Sequence, residues 1–87
     1  MTEPTSDPTT ARARAIRDSV RRALDALNLA EVELSHALLL ARDDYQHNDE
    51  RLGHLSGAVA LAASGTAMEY SKWDGFFFAR LKREGLA

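Results

Sequence analysis

Cysteine is missing from all 87 positions, so the chain has no disulfide framework and no thiolate chemistry. A reducing compartment suits such a composition, and a cytoplasmic address is the expectation. Proline occurs only at Pro4 and Pro8, so nothing beyond position 8 breaks a helix on that ground. Aromatic residues are scarce before the last third: five of the six lie between Tyr70 and Phe78, the other being Tyr45. The longest weakly polar run, Leu52 to Met68, is interrupted by His54 and by glycines and serines, which argues against a transmembrane helix. Met1 to Pro8 is polar and acidic and carries no apolar signal segment. Excess positive charge is also absent, since 11 basic residues face 13 acidic ones for a net charge of −2. Nucleic-acid binders usually carry a basic surplus, so that class is the less favoured one.

What remains is rich in Ala, Leu and Arg, residues that favour helix, and the expected class is all-α. Residues 1–7 have nothing to bury and are expected to form a disordered tail, with residues 8–86 as a single domain. Asp7 suits an N-cap, with Pro8 at the first helical position, where its missing N–H costs nothing. From there Ile16, Val20, Ala23, Leu27, Ala30, Leu34, Ala37 and Ala41 recur at alternating spacings of four and three, which is the heptad period. Leu24, Leu38 and Tyr45 widen this stripe on one flank. Leu29, Val32, Leu39 and Leu40 lie further round the cylinder, so the middle of the first helix is apolar on more than one face.

A first helix over about 8–46 gives way to a turn at 47–49, His47-Asn48-Asp49, and to a second helix over about 49–84. The second helix carries a stripe of small residues, Gly53, Gly57, Ala60, Ser64 and Ala67, through which another helix can approach closely. Gly75 marks a place near 74–75 where this helix can kink, and Gly85 is its natural stop. Set antiparallel, the two stripes pair Ala41 with Gly53, Ala37 with Gly57, Leu34 with Ala60, Ala30 with Ser64 and Leu27 with Ala67. Continued outward, the same alignment sets Val20 against Asp74, Ile16 against Phe78 and Pro8 against Leu86, so the helices have nearly equal length. The expected fold is a long, coiled-coil-like antiparallel hairpin with a small-residue seam. A rod this thin encloses little, and pairing of two hairpins into a dimeric four-helix bundle completes it.

Charge is unevenly distributed along such a hairpin. Residues 10–25 hold five arginines against two aspartates, and residues 69–87 hold four basic side chains against three acidic ones. Residues 26–68 hold six acidic side chains against two basic ones, so the open end is basic and the turn end acidic. Arg14, Arg17, Arg21 and Arg22 converge at the open end with Tyr70, Trp73, Phe76, Phe77 and Phe78. Aromatics rimmed by arginine make a common protein-binding composition, and these residues form the candidate partner site. A competing account buries the same aromatics in the hairpin or in its dimer.

Enzymatic constellations are not recognisable: no Gly-rich phosphate loop joins a strand to a helix, and no Ser, His and carboxylate set converges on a pocket. Glu33 and His36 have the Glu-x-x-His spacing of di-metal bundles, yet the facing segment Ala58, Val59, Leu61 and Ala62 offers no further ligand. His47 and His54 cluster with Asp43, Asp44, Asp49 and Glu50 near the turn, an arrangement equally ordinary for helix ends. No cofactor and no metal are therefore expected.

Trp73-Asp74-Gly75 and the span from Tyr70 to Asp74 resemble the Trp-x-Gly and Tyr-x-x-x-Asp/Glu signals of the WXG100 proteins, small helical hairpins exported by type VII secretion. In that family Trp-x-Gly lies in the turn between the helices, whereas here it falls near the end of the second. The resemblance implies a secreted-type hairpin. The residues themselves point to a non-enzymatic interaction or assembly module that self-associates and binds a protein partner. Alternatives are a nucleic-acid-associated regulator using the arginine-rich end, a membrane-surface binder using Phe76 to Phe78 with Arg80, Lys82 and Arg83, and a metal-binding bundle.

Overall fold

The computed structural model describes residues 8–44 and 49–86. They form two α-helices, α1 (Pro8–Asp44) and α2 (Asp49–Arg83), packed antiparallel along their length into a rod of 64 × 21 × 16 Å. Among the described residues there is no strand. The expected tail at 1–7, Tyr45 and most of the turn at 47–49 lie outside the described residues; Asp49 itself opens α2. No helix of the described residues is long and apolar enough to cross a membrane.

Pro8 opens α1, as its fixed φ and missing N–H allow. At the same end of the hairpin α2 is closed by a C-cap. Gly85 adopts φ +77°, the Leu86 amide donates to the Leu81 carbonyl at 2.9 Å, and the Gly85 amide donates to the Lys82 carbonyl at 3.1 Å. This is the Schellman arrangement, in which a left-handed glycine lets the chain turn back and satisfy the last carbonyls. Arg80, Lys82 and Arg83 in the last turn face the negative end of the helix dipole. Between its ends α2 runs unbroken through Gly75, so Trp73-Asp74-Gly75 is a helical segment and not a turn.

The helices meet in the expected alignment but on a different face of α2. Thr10 with Glu84 and Arg17 with Phe77 follow that alignment, and Arg17 with Asp74 and Arg21 with Tyr70 fall within a turn of it. The small stripe, however, is not the seam: Gly57, Ser64 and Ala67 are exposed, and a Cβ built on Gly57 meets nothing within 4 Å. The side chains turned toward α1 are instead Leu52, Ser56, Val59, Ala63, Thr66, Tyr70, Trp73 and Phe77, again spaced by four and three. On α1 the seam takes in Leu24 and Leu38 and leaves Ala23 exposed, while Leu34 and Ala41 stay on it. Ala30, Ala37, Gly53 and Ala60, all half-buried, flank it. The physical reason is area. Removing Leu52, Val59, Tyr70, Trp73 and Phe77 from water is worth far more than a closer approach over glycine and serine. The neighbouring stripe also runs on into Ser71 and Asp74, where it has little to bury.

Burial remains shallow, as two helices alone dictate. Among the described residues only Ala13, Ala63 and Phe77 are buried apolar residues, and Phe77, at 8 % exposure, is the largest of them. In contrast, Leu29, Val32, Leu39 and Leu40 on α1 and Leu55, Leu61 and Met68 on α2 are each half or more exposed. They form an apolar belt around the middle of the rod, and α2 carries no charged side chain from Leu52 to Met68.

Candidate functional site at the open end of the hairpin

The heptad phase of α1 brings Thr10, Ala13, Arg17 and Val20 to the seam, opposite the aromatic third of α2. An arginine at a seam position must be neutralised and covered. Arg17 meets that demand with three partners. Its guanidinium donates to Asp18 Oδ1 at 2.9 and 3.1 Å, pairs with Asp74 Oδ1 across the seam at 3.3 Å, and lies 4.6 Å over the centre of the Phe77 ring. The hydrogen bonds to Asp18, and then the charges of Asp18 and Asp74, raise its pKa above the usual guanidinium value against the opposing pull of burial.

Arg21 repeats the device one turn further on, 5.4 Å over the Tyr70 ring and 3.2 Å from Asp25 Oδ1. The Asp25 charge, with Tyr70 next, raises its pKa. Arg22 is exposed and donates to Ser19 Oγ at 3.1 Å. On α2, Trp73 packs edge-on against Phe76 at 5.6 Å, and Lys72 sits 5.6 Å over the Trp73 ring and 3.7 Å from Glu69.

The expected site residues thus separate into two groups. Arg17, Arg21, Tyr70 and Phe77 make contacts between the helices, and Trp73, half-buried, packs on Phe76 of its own helix. Arg14, Arg22, Phe76 and Phe78 remain accessible, Phe76 and Phe78 at about half exposure. An open groove of about 530 Å³ has Phe77, Leu81 and Leu86 as its apolar wall and Thr10, Arg14 and Asp18 as its polar rim, so that of these four residues Arg14 alone lines it. Thr10 is 2 % exposed; its hydroxyl donates to Glu84 and accepts from Arg80 Nε at 3.5 Å, which fastens the two helix ends together.

No family model, curated protein or solved structure matches this chain.

Thr10, Leu81 and Leu86 were not among the expected site residues. The signal for Thr10 is its place on the heptad that continues N-terminally through Ala13 and Arg17. For Leu86 it is the position just after the capping glycine, which commonly packs back on the last turn. Glu33 and His36 are both exposed, and among the described residues no group of three or more His, Asp or Glu side chains lies close enough together to hold a metal ion. The cluster proposed around His47 lies in part outside the described residues.

Proposed function

We propose that the chain is a small non-enzymatic assembly module that self-associates through the middle of its rod and offers its basic, aromatic open end to a protein partner. One observation carries this reading: seven large apolar side chains of the mid-rod belt, from Leu29 to Met68, are at least half exposed. A hairpin without an enclosed core gains most by burying such side chains against more helix. A dimeric four-helix bundle is the economical completion. The partner surface is then the groove at Arg14 together with the exposed Arg22, Phe76 and Phe78 of the same end, and a cytoplasmic setting is supported by the lack of cysteine.

Sedimentation equilibrium of the purified chain between about 1 and 100 μM tests the first half, with a dimer or larger species expected and a monomer throughout overturning it. For the second half, affinity capture from the native host is compared between the intact chain and an Arg14→Ala, Phe78→Ala variant. Loss of a captured protein with unchanged helix content supports the open-end surface, and unchanged capture removes it.

A further inference from the structure

We propose that the groove at the open end binds an apolar monocarboxylate, a single hydrocarbon chain of medium length whose carboxylate is held by Arg14. This goes beyond the assembly reading above and does not depend on it, since a small acid that uses only the groove needs neither a second copy nor a captured protein.

The class of ligand follows from the polar groups that line the groove. Thr10, Arg14 and Asp18 are its polar side chains, and two of them are already engaged. Thr10 is 2 % exposed, and its hydroxyl donates to Glu84 and accepts from Arg80, so its one proton is committed. Asp18 accepts both Arg17 hydrogen bonds on Oδ1, at 2.9 and 3.1 Å, which answers its charge. Arg14 differs. It is exposed, and among the described residues it has no hydrogen bond or ion pair; the carboxylate four residues on, Asp18, is the one that Arg17 holds. The rest of the lining is hydrocarbon: Ala11 and Ala15 of α1, Phe77 and Leu81 of α2, and Leu86 behind the capping glycine. A complementary ligand is therefore apolar along its length and carries one anionic group, and the planar guanidinium matches a carboxylate through two parallel hydrogen bonds.

Size favours a small molecule over a protein segment as the occupant. The α1 wall runs from Thr10 to Asp18, about 12 Å at about 1.5 Å per residue. A volume of about 530 Å³ falls within the range of about 300–1,000 Å³ usual for small-ligand clefts. A specific protein interface takes about 20–30 residues a side, far more than line this groove. Toward the turn the same flank of α1 passes into the Arg21–Asp25 ion pair, which ends the apolar track. Direction follows as well. Arg14 lies midway along the α1 wall, and the Asp18 carboxylate disfavours a second anion beyond it, so the hydrocarbon chain runs from Arg14 toward Leu81 and Leu86.

Octanoate is the probe, titrated below its micellar concentration into the isotope-labelled full chain at neutral pH, with binding read from two-dimensional amide spectra. Saturable shifts are expected at Ala11, Arg14, Ala15, Leu81 and Leu86. Octylammonium, the same chain with the opposite charge, binds at least about tenfold more weakly. Arg14→Gln weakens octanoate by about tenfold or more at unchanged helix content, because this side chain is exposed and unpaired among the described residues. From hexanoate to octanoate to decanoate the affinity rises about fourfold at each step, as two half-buried methylenes require. No saturable shift, equal affinity for octylammonium, or full affinity in Arg14→Gln overturns the proposal. Shifts centred on the mid-rod belt overturn it too, since the acid would then be adhering to exposed apolar surface elsewhere. Groove amides that shift with chain concentration in the absence of acid would give the groove to a second copy. Lack of octanoate binding together with protein capture that depends on Arg14 would give it to the protein partner, so failure here and failure of the assembly reading are told apart.

Discussion

Replacing Gly57 with alanine raises stability because this residue faces solvent, and would lower it were the small stripe the intramolecular seam. An added Cβ meets nothing within 4 Å, and Gly57 has ordinary helical backbone, Gly85 alone among the described residues being left-handed. No steric cost therefore offsets the usual gain. Glycine in a helix interior is less favourable than alanine by about 0.8–1.0 kcal/mol, through backbone entropy and lost helix propensity. In a chain of this length about 1 kcal/mol corresponds to a rise of about 4–8 °C in melting temperature. Unfolding is followed by far-ultraviolet circular dichroism at several chain concentrations, so that any contribution from association shows as a concentration dependence. Gly65→Ala and Gly75→Ala, equally open, should add gains of the same sign. Gly85→Ala provides the opposite control, because φ +77° strains any Cβ; a loss of about 1 kcal/mol is expected there. A lower melting temperature for Gly57→Ala would mean that α1 packs on this stripe after all, and the assignment of faces would fall.

Phe77→Ala removes the largest buried side chain among the described residues and the ring under Arg17, and should cost about 3 kcal/mol or more in urea titration; unchanged stability would show that the aromatics serve only a partner. Arg17→Met keeps the apolar stem and deletes the ion pairs and the stacked charge, for an expected loss of about 1 kcal/mol. That loss should be the same from about pH 6 to 9, because a raised guanidinium pKa gives stabilisation that is complete below it and vanishes only as pH climbs through it. A strong pH dependence of the difference between Arg17→Met and the parent chain would contradict the assignment. Thr10→Val deletes the hydroxyl between Glu84 and Arg80 at near-constant shape, at a cost of about 1 kcal/mol. Amide exchange at Leu81 to Leu86 should accelerate with it, and unchanged protection would mean that the clasp does not hold this end.

Much of the architecture is legible in residue spacing. Pro8, the unbroken heptad of α1 and Gly85 define two helices of nearly equal length, and their alignment is visible once the stripes are set against each other. The choice of stripe on α2 is not legible by the same means. Gly57, Ala60, Ser64 and Ala67 repeat at three and four, and Ser56, Val59, Ala63 and Thr66 do so one residue earlier, so periodicity cannot separate them. The decision is made further along, where one stripe continues into Tyr70, Trp73 and Phe77 and the other into Ser71, Asp74 and Phe78. Summing buried area over the whole helix finds it, and reading a single window does not. The open end was recognised by composition, yet composition does not say which arginines are already engaged. Arg17 and Arg14 look alike in sequence; only the seam phase, with Asp18 and Asp74 in reach, assigns one to closure and leaves the other at the groove.

The fastening of Thr10 to Glu84 has a consequence for how the rod forms. Its members are 74 residues apart, and the Arg17–Asp74 pair is 57 apart, so the chain's best-anchored contacts are also its most distant in sequence. Helices zipping outward from the turn meet Leu52, Ser56, Val59, Ala63 and Thr66 of α2 first and reach the aromatic contacts only at Tyr70. Closing a loop of about 57 residues instead of about 4 costs only about 2 kcal/mol more, since loop entropy grows logarithmically. The early turns therefore have scant stability of their own, and the hairpin should fold as one cooperative unit rather than as a growing zipper. Length at the turn end is correspondingly adjustable, whereas the far end sets whether the two helices meet at all.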